Sequence, residues 1–137
     1  MKGYYKAYRK VGQINTSVAE RLGFEFDGYV YASPGVINHI KKHHGKQLTK
    51  KVKENLLKVI EDIIEYPDYI GIDRRRGKLG AIEFVKKIDN MLLLGLEVDL
   101  EEEYIYVATL YPITKSKINS RLFNGRLIIY EEKINRK

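Results

Sequence analysis

Ala81-Ile82-Glu83-Phe84-Val85-Lys86-Lys87-Ile88-Asp89-Asn90-Met91-Leu92-Leu93-Leu94-Gly95-Leu96 is the stretch whose periodicity sets the class of fold. Ile82, Phe84, Lys86 and Ile88 alternate with Ala81, Glu83, Val85 and Lys87, the two-residue repeat of an extended chain. Asp89 and Asn90 are turn residues, and the continuous apolar run from Met91 to Leu96 suits a central strand covered on both faces. Together they predict a β-hairpin.

Downstream, the acidic turn Asp99-Leu100-Glu101-Glu102-Glu103 leads to Tyr104-Ile105-Tyr106-Val107-Ala108-Thr109-Leu110-Tyr111, a third strand that Pro112 terminates. Leu127-Ile128-Ile129-Tyr130 supplies a fourth. Upstream the repeat is helical: Val52, Leu56, Val59, Ile60 and Ile63 recur at three- and four-residue spacing across residues 49–65, and Tyr66-Pro67 ends the helix. Residues 67–77 read as a loop with an apolar patch and a basic tip. Nearer the start, Lys10-Val11-Gly12-Gln13-Ile14 reads as a short extended piece. Thr16 or Ser17 caps a brief helix through Val18, Ala19 and Leu22 that stops at Gly23. Helices followed by strands predict an α+β fold, with N-terminal helices packed on one face of a four-stranded antiparallel sheet and residues 1–137 forming a single domain.

Composition agrees with a folded chain, since 137 residues with 44% hydrophobic and 31% charged side chains allow a substantial core. No apolar run approaches the roughly 20 residues needed to cross a bilayer. The start Met1-Lys2-Gly3-Tyr4-Tyr5-Lys6 lacks the hydrophobic segment of a signal peptide, so a cytoplasmic location without a membrane partner is expected. The absence of cysteine excludes disulfides and thiolate metal sites.

The net charge of +7 is unevenly distributed: residues 1–60 carry 12 Lys or Arg against 4 Asp or Glu, whereas residues 61–137 carry 13 against 14. Seven lysines lie between Lys41 and Lys58 with only Glu54 among them. Such a field attracts polyanions, although it also serves simply as a solvated helix face.

All three histidines sit within this basic region, in Ser33-Pro34-Gly35-Val36-Ile37-Asn38-His39-Ile40-Lys41-Lys42-His43-His44-Gly45-Lys46. Ser33 is placed to cap a helix, Pro34 fits its first position, and Gly45 can close it in a left-handed conformation. Val36, Ile37 and Ile40 make the apolar stripe. His39 and His43, one turn apart, are then separated by about 40° and roughly 6 Å, close enough to act on one ligand. Imidazole exchanges protons near neutrality. The same spacing chelates zinc, but Ile40 follows His39 where the zincin pattern needs glutamate, so acid–base chemistry is the preferred reading and no metal is expected. No glycine-rich phosphate loop is present, so no nucleotide cofactor is expected either.

The order of Gly12, Val30-Tyr31-Ala32-Ser33-Pro34-Gly35, His39-Ile40-Lys41-Lys42-His43-His44-Gly45, Tyr66-Pro67-Asp68-Tyr69-Ile70-Gly71, Glu83-Phe84-Val85-Lys86-Lys87 and Val107-Ala108-Thr109-Leu110-Tyr111-Pro112 resembles the phage-type branch of the superfamily that joins barnase, EndoU, colicin tRNases and RelE. The likeness covers most of residues 11–126. It implies helices followed by a four-stranded antiparallel sheet and a metal-independent ribonuclease of toxin or mobile-element type, acting on RNA such as tRNA, with an inhibitor or immunity protein as a further partner. It also singles out the strand end at Thr109.

Cleaving RNA without a metal requires a base for the 2′-hydroxyl proton, an acid for the leaving 5′-oxygen and donors for the phosphorane charge. The expected assignment gives the proton transfers to His39 and His43 in an order left open, charge stabilisation to Lys87 or Arg121, and a hydrogen bond to phosphate to Thr109. Lys42, Lys46, Lys50 and Lys53, Arg75 at the basic loop tip and the Tyr111 ring are the expected nucleic-acid contacts. Two other readings fit the same residues: a nucleic-acid-binding module without turnover, and a component of a toxin and antidote pair whose lysines meet an acidic surface.

Overall fold

The computed structural model describes residues 8–23, 28–73, 81–99 and 102–130. The chain runs through β1 (Arg9–Gln13), α1 (Thr16–Leu22), β2 (Tyr29–Ala32), α2 (Val36–His44), a 3₁₀ turn (Gly45–Gln47), α3 (Lys50–Glu54), α4 (Leu56–Glu65) and β3 (Tyr69–Asp73). It continues through β4 (Ala81–Ile88), β5 (Asn90–Asp99), β6 (Tyr104–Pro112), α5 (Lys115–Phe123) and β7 (Leu127–Ile129).

The expected hairpin is β4–β5, with Ile82 opposite Leu96, Phe84 opposite Leu94 and Ile88 opposite Asn90. Asp89 makes the turn in the left-handed region at φ 59°, a conformation that aspartate tolerates better than most residues. β5 pairs with β4 on one side and β6 on the other, and Leu92, Leu93, Leu94 and Leu96 are all buried. Its unbroken apolarity follows from that central position.

The sheet differs from the four-stranded antiparallel arrangement expected from the sequence: it has seven strands in the order β1-β2-β6-β5-β4-β3-β7, and it is mixed. β2 runs parallel to β6, with Val30 beside Ile105 and Tyr31 beside Tyr106, while the other pairs are antiparallel. The first extended piece joins as β1, and β3 occupies the stretch expected to be a loop. The broad α+β class holds.

The helices are not confined to one face. Val18 and Leu22 of α1, Val36 and Ile40 of α2, Val52 of α3 and Leu56, Val59, Ile60, Ile63 and Ile64 of α4 pack with Val11, Val30, Ile70, Ile82, Phe84, Leu94 and Ile105 of the sheet. On the opposite face Ile118 of α5 packs with Val85, Leu93, Ile113 and Leu127. Each fully buried aliphatic side chain contributes about 1.5–3 kcal/mol, so the larger cluster under α1–α4 dominates the fold.

Local chemistry explains the helix boundaries. Asn15, rather than Thr16 or Ser17, caps α1 by accepting from the Val18 N–H at 2.8 Å, and Gly23 closes it at φ 84°. The helix expected over residues 49–65 begins at its Thr49 cap but breaks at Asn55, whose side-chain amide donates to the Lys51 carbonyl at 2.8 Å. Among the described residues, no helix is long and apolar enough to cross a membrane.

Candidate active site

β2 stays beside β6 only as far as Tyr31 and Tyr106, after which residues 33–35 lead into α2, which packs against β6. Val36 and Ile40 turn inward and are buried, so His39 and His43 stand exposed on the other side of the helix. Their ring centroids are 4.4 Å apart with 48° between the planes. The expected i, i+4 pairing of the imidazoles is therefore present.

Both ends of this helix depart from expectation. Gly35 occupies the cap position and no side chain accepts from the first turn; Ser33 instead offers its backbone carbonyl to the Val36 N–H at 3.3 Å. No acidic residue occupies the first turn either, so none of the helix's own side chains compensates the positive end of its dipole. Gly45 is right-handed, at φ −56° and ψ −36°, and carries the chain into the 3₁₀ turn rather than closing the helix. His44 lies with its ring 5.4 Å from that of Tyr111 and its Nδ1 3.3 Å from Gln47 Oε1, fastening the end of α2 to β6.

Between α2 and β6 lies an open groove of about 560 Å³. Ser33, Gly35, Val36 and His39 line it from the helix side, and Tyr106, Val107, Ala108 and Thr109 from the strand, with Tyr8 and Glu97 also in its lining. A bulge shapes the floor: Gly95 pairs with Thr109 and Leu96 with Val107, leaving Ala108 as an extra residue on β6. Bulges of this kind re-aim neighbouring side chains. A Cβ on Gly95 would lie 3.1 Å from Thr109 Cγ2, so the missing side chain gives the threonine its space. His39 and Thr109 thus meet at one groove, with His43 stacked beside His39.

The expected sheet cations lie elsewhere. Thr109, Gly95, Glu83, Gly71 and Leu127 form one row across β6, β5, β4, β3 and β7. At roughly 4.8 Å per strand, Glu83 stands about 10 Å from Thr109. Arg121 makes an ion pair with Glu83 at 3.4 Å, while Arg126 binds Glu83 through Nε at 2.9 Å and Nη2 at 2.7 Å and reaches Asp73 at 3.1 Å. Lys87 is exposed four residues further along β4, opposite Met91.

Lys42, Lys46 and Lys50 are exposed and form no ion pair among the described residues. Lys53 is half-buried near Gly45. Lys58 hydrogen-bonds Asp62 at 3.0 Å, which holds its ammonium charged to higher pH than usual and satisfies that charge locally. Tyr111 is half-buried beneath His44. Arg75 lies outside the described residues. Glu97, Tyr106 and Tyr8 were absent from the expected site. Only the alternation of Tyr104-Ile105-Tyr106-Val107 hints that Tyr106 points away from the helical core. Among the described residues, no three His, Cys, Asp or Glu side chains come together to hold a metal ion.

No curated protein and no solved structure matches the chain significantly. Residues 9–120 match the family model described as phage-Barnase-EndoU-ColicinE5/D-RelE like nuclease 3, a span that takes in both walls of the groove. With most of its length matched, the chain belongs to this nuclease family.

Proposed function

We propose that the chain is an endoribonuclease that cleaves RNA without a metal, by attack of a 2′-hydroxyl on the adjacent phosphate. The base removes the 2′-hydroxyl proton as the 2′-oxygen bonds to phosphorus, the bond from phosphorus to the 5′-oxygen breaks, and the acid protonates that oxygen. A 2′,3′-cyclic phosphate and a free 5′-hydroxyl result. The observation that carries this reading is the meeting of His39 with Thr109 in a groove bordered by the uncapped start of α2. Imidazole transfers protons near neutral pH, and a helix N-terminus and a hydroxyl both favour a phosphate oxygen. His39 faces the phosphate directly, and His43, with its ring 4.4 Å away, supplies the second transfer. Lys42, Lys46 and Lys50 hold flanking phosphates. Structured RNA such as tRNA is the substrate class that the resemblance to colicin tRNases suggests.

The test is incubation of the purified chain with total RNA in EDTA. Fragments ending in 2′,3′-cyclic phosphate, lost in His39→Ala, support the proposal. Salt-sensitive binding without turnover would leave a nucleic-acid-binding scaffold, and cleavage that needs added metal would overturn the metal-free route.

A further inference from the structure

The sheet face opposite α1–α4 carries a group of tyrosines that the cleavage chemistry does not use. Val30 and Ala32 of β2 and Ile105 and Val107 of β6 belong to the helical core, so Tyr29, Tyr31, Tyr104 and Tyr106 project from the other side. α5 packs at the far end of that face, with Val85, Leu93 and Leu127. Tyr31 stands in register between Lys10 of β1 and Tyr106 of β6, and Tyr106 pairs in turn with Glu97 of β5.

The rings form a connected set. Tyr31 meets Tyr104 edge-on at 5.9 Å and 67°, and Tyr104 lies 5.9 Å from Tyr106. Tyr104 is buried and the other two are half-buried, and Tyr29 is 44% exposed with the Lys10 ammonium 4.2 Å from its ring centre. Tyr106 also lines the groove that holds His39 and Thr109. The aromatic face and the groove therefore share a wall.

We infer that Tyr106 and Tyr31 are a stacking platform for unpaired bases beside the scissile phosphate, so that the substrate is a single-stranded segment or loop rather than a duplex. Half-exposed aromatic rings on a sheet face bind nucleic acid because every base has a π-face, and a base stacks on a ring only when it has left its own helix. Charge sets the direction of the strand. Lys10 at one end and Lys42 and Lys46 on α2 attract the phosphates along this course. The bases then lie over β6 and β2 while the backbone passes His39. The inference rests on the proposed nuclease reading only in placing the cut at His39.

The probe is a fluorescently labelled 2′-O-methyl RNA ten-mer, which the proposed chemistry cannot cut, used alone and annealed to its complement. The single strand is expected to bind at least tenfold more tightly than the duplex and to quench tyrosine fluorescence. Tyr106→Leu and Tyr31→Leu should each weaken single-strand binding about tenfold or more, while Tyr106→Phe and Tyr31→Phe retain it. Equal affinity for duplex and single strand would overturn the platform, as would single-strand binding without tyrosine quenching or Leu variants that bind like the parent while remaining folded by circular dichroism. RNA cleavage is scored separately. Loss of binding in the Leu variants of a chain that never cuts RNA supports the platform while sinking the nuclease; unchanged KM in a chain that does cut does the reverse.

Discussion

Arg126 grips Glu83 through Nε and Nη2, at 2.9 and 2.7 Å on the two carboxylate oxygens, and so ties the approach to β7 to the middle of the sheet. Arg121 and Asp73 belong to the same cluster, and the Glu83 side chain is only 7% exposed. Among the described residues, Glu83→Gln leaves the two guanidinium groups with only the Asp73 carboxylate. A loss of about 3–5 kcal/mol of stability in urea titration is expected, as for other buried pairs broken on one side. A loss below about 1 kcal/mol would show that the cluster is solvated.

Gly71 lies in the same row, and a Cβ there would fall 2.0 Å from the Arg126 carbonyl oxygen. Since backbone cannot swing aside as a side chain can, Gly71→Ala should destabilise the chain by about 1–3 kcal/mol or more. Gly35 is the control: nothing lies within 4 Å of its Cβ position and its backbone is helical. Gly35→Ala should change stability by no more than about 0.5 kcal/mol. Thermal melts of the two variants check the contrast.

The two histidines should not be equivalent. His39 lines the groove and His43 does not, so His39→Ala is expected to lower the RNA cleavage rate by about 10²–10⁴-fold, and His43→Ala by less. Equal rates in the parent and His39→Ala would remove the imidazole from the chemistry.

Removal of Lys42, Lys46 or Lys50 should each lower the slope of log binding against log salt by about 0.7 for a single strand, as expected when one phosphate contact is lost. Lys58→Ala should change that slope far less, because Asp62 already compensates its charge. Titrations between 50 and about 200 mM salt separate the two behaviours. The Lys58–Asp62 pair should also leave a pH signature. With the folded-state pKa raised, its contribution to stability is complete below the ordinary lysine value and fades as pH rises through the folded one.

The parts of the fold legible in the sequence are those with strong local patterns. The β4–β5 hairpin, β6, α1 and the α4 stripe all announce themselves through periodicity. β2 and β3 do not. β2 has four residues and, with β1 on its other side, joins the rest of the sheet by parallel pairing with β6, far along the chain, which no local pattern encodes. β3 is interrupted by Gly71, whose presence answers to the Arg126 backbone rather than to strand propensity. α5 buries fully only Ile118, too little to mark an amphipathic stripe. At the site, the His39–His43 pair could be read from its one-turn spacing. Tyr106 and Glu97 could not, because the β5–β6 bulge and the β2–β6 register bring them there.

The two walls of the groove are made at different times in translation: His39 precedes Thr109 by 70 residues. A ribosome that has released only the leading segment has made the imidazoles but not the strand against which they work, and such distant pairings form late. On the proposed chemistry, a chain that stops short of β6 therefore cannot attack the message that encodes it, and its cutting power arises only once that strand has been made.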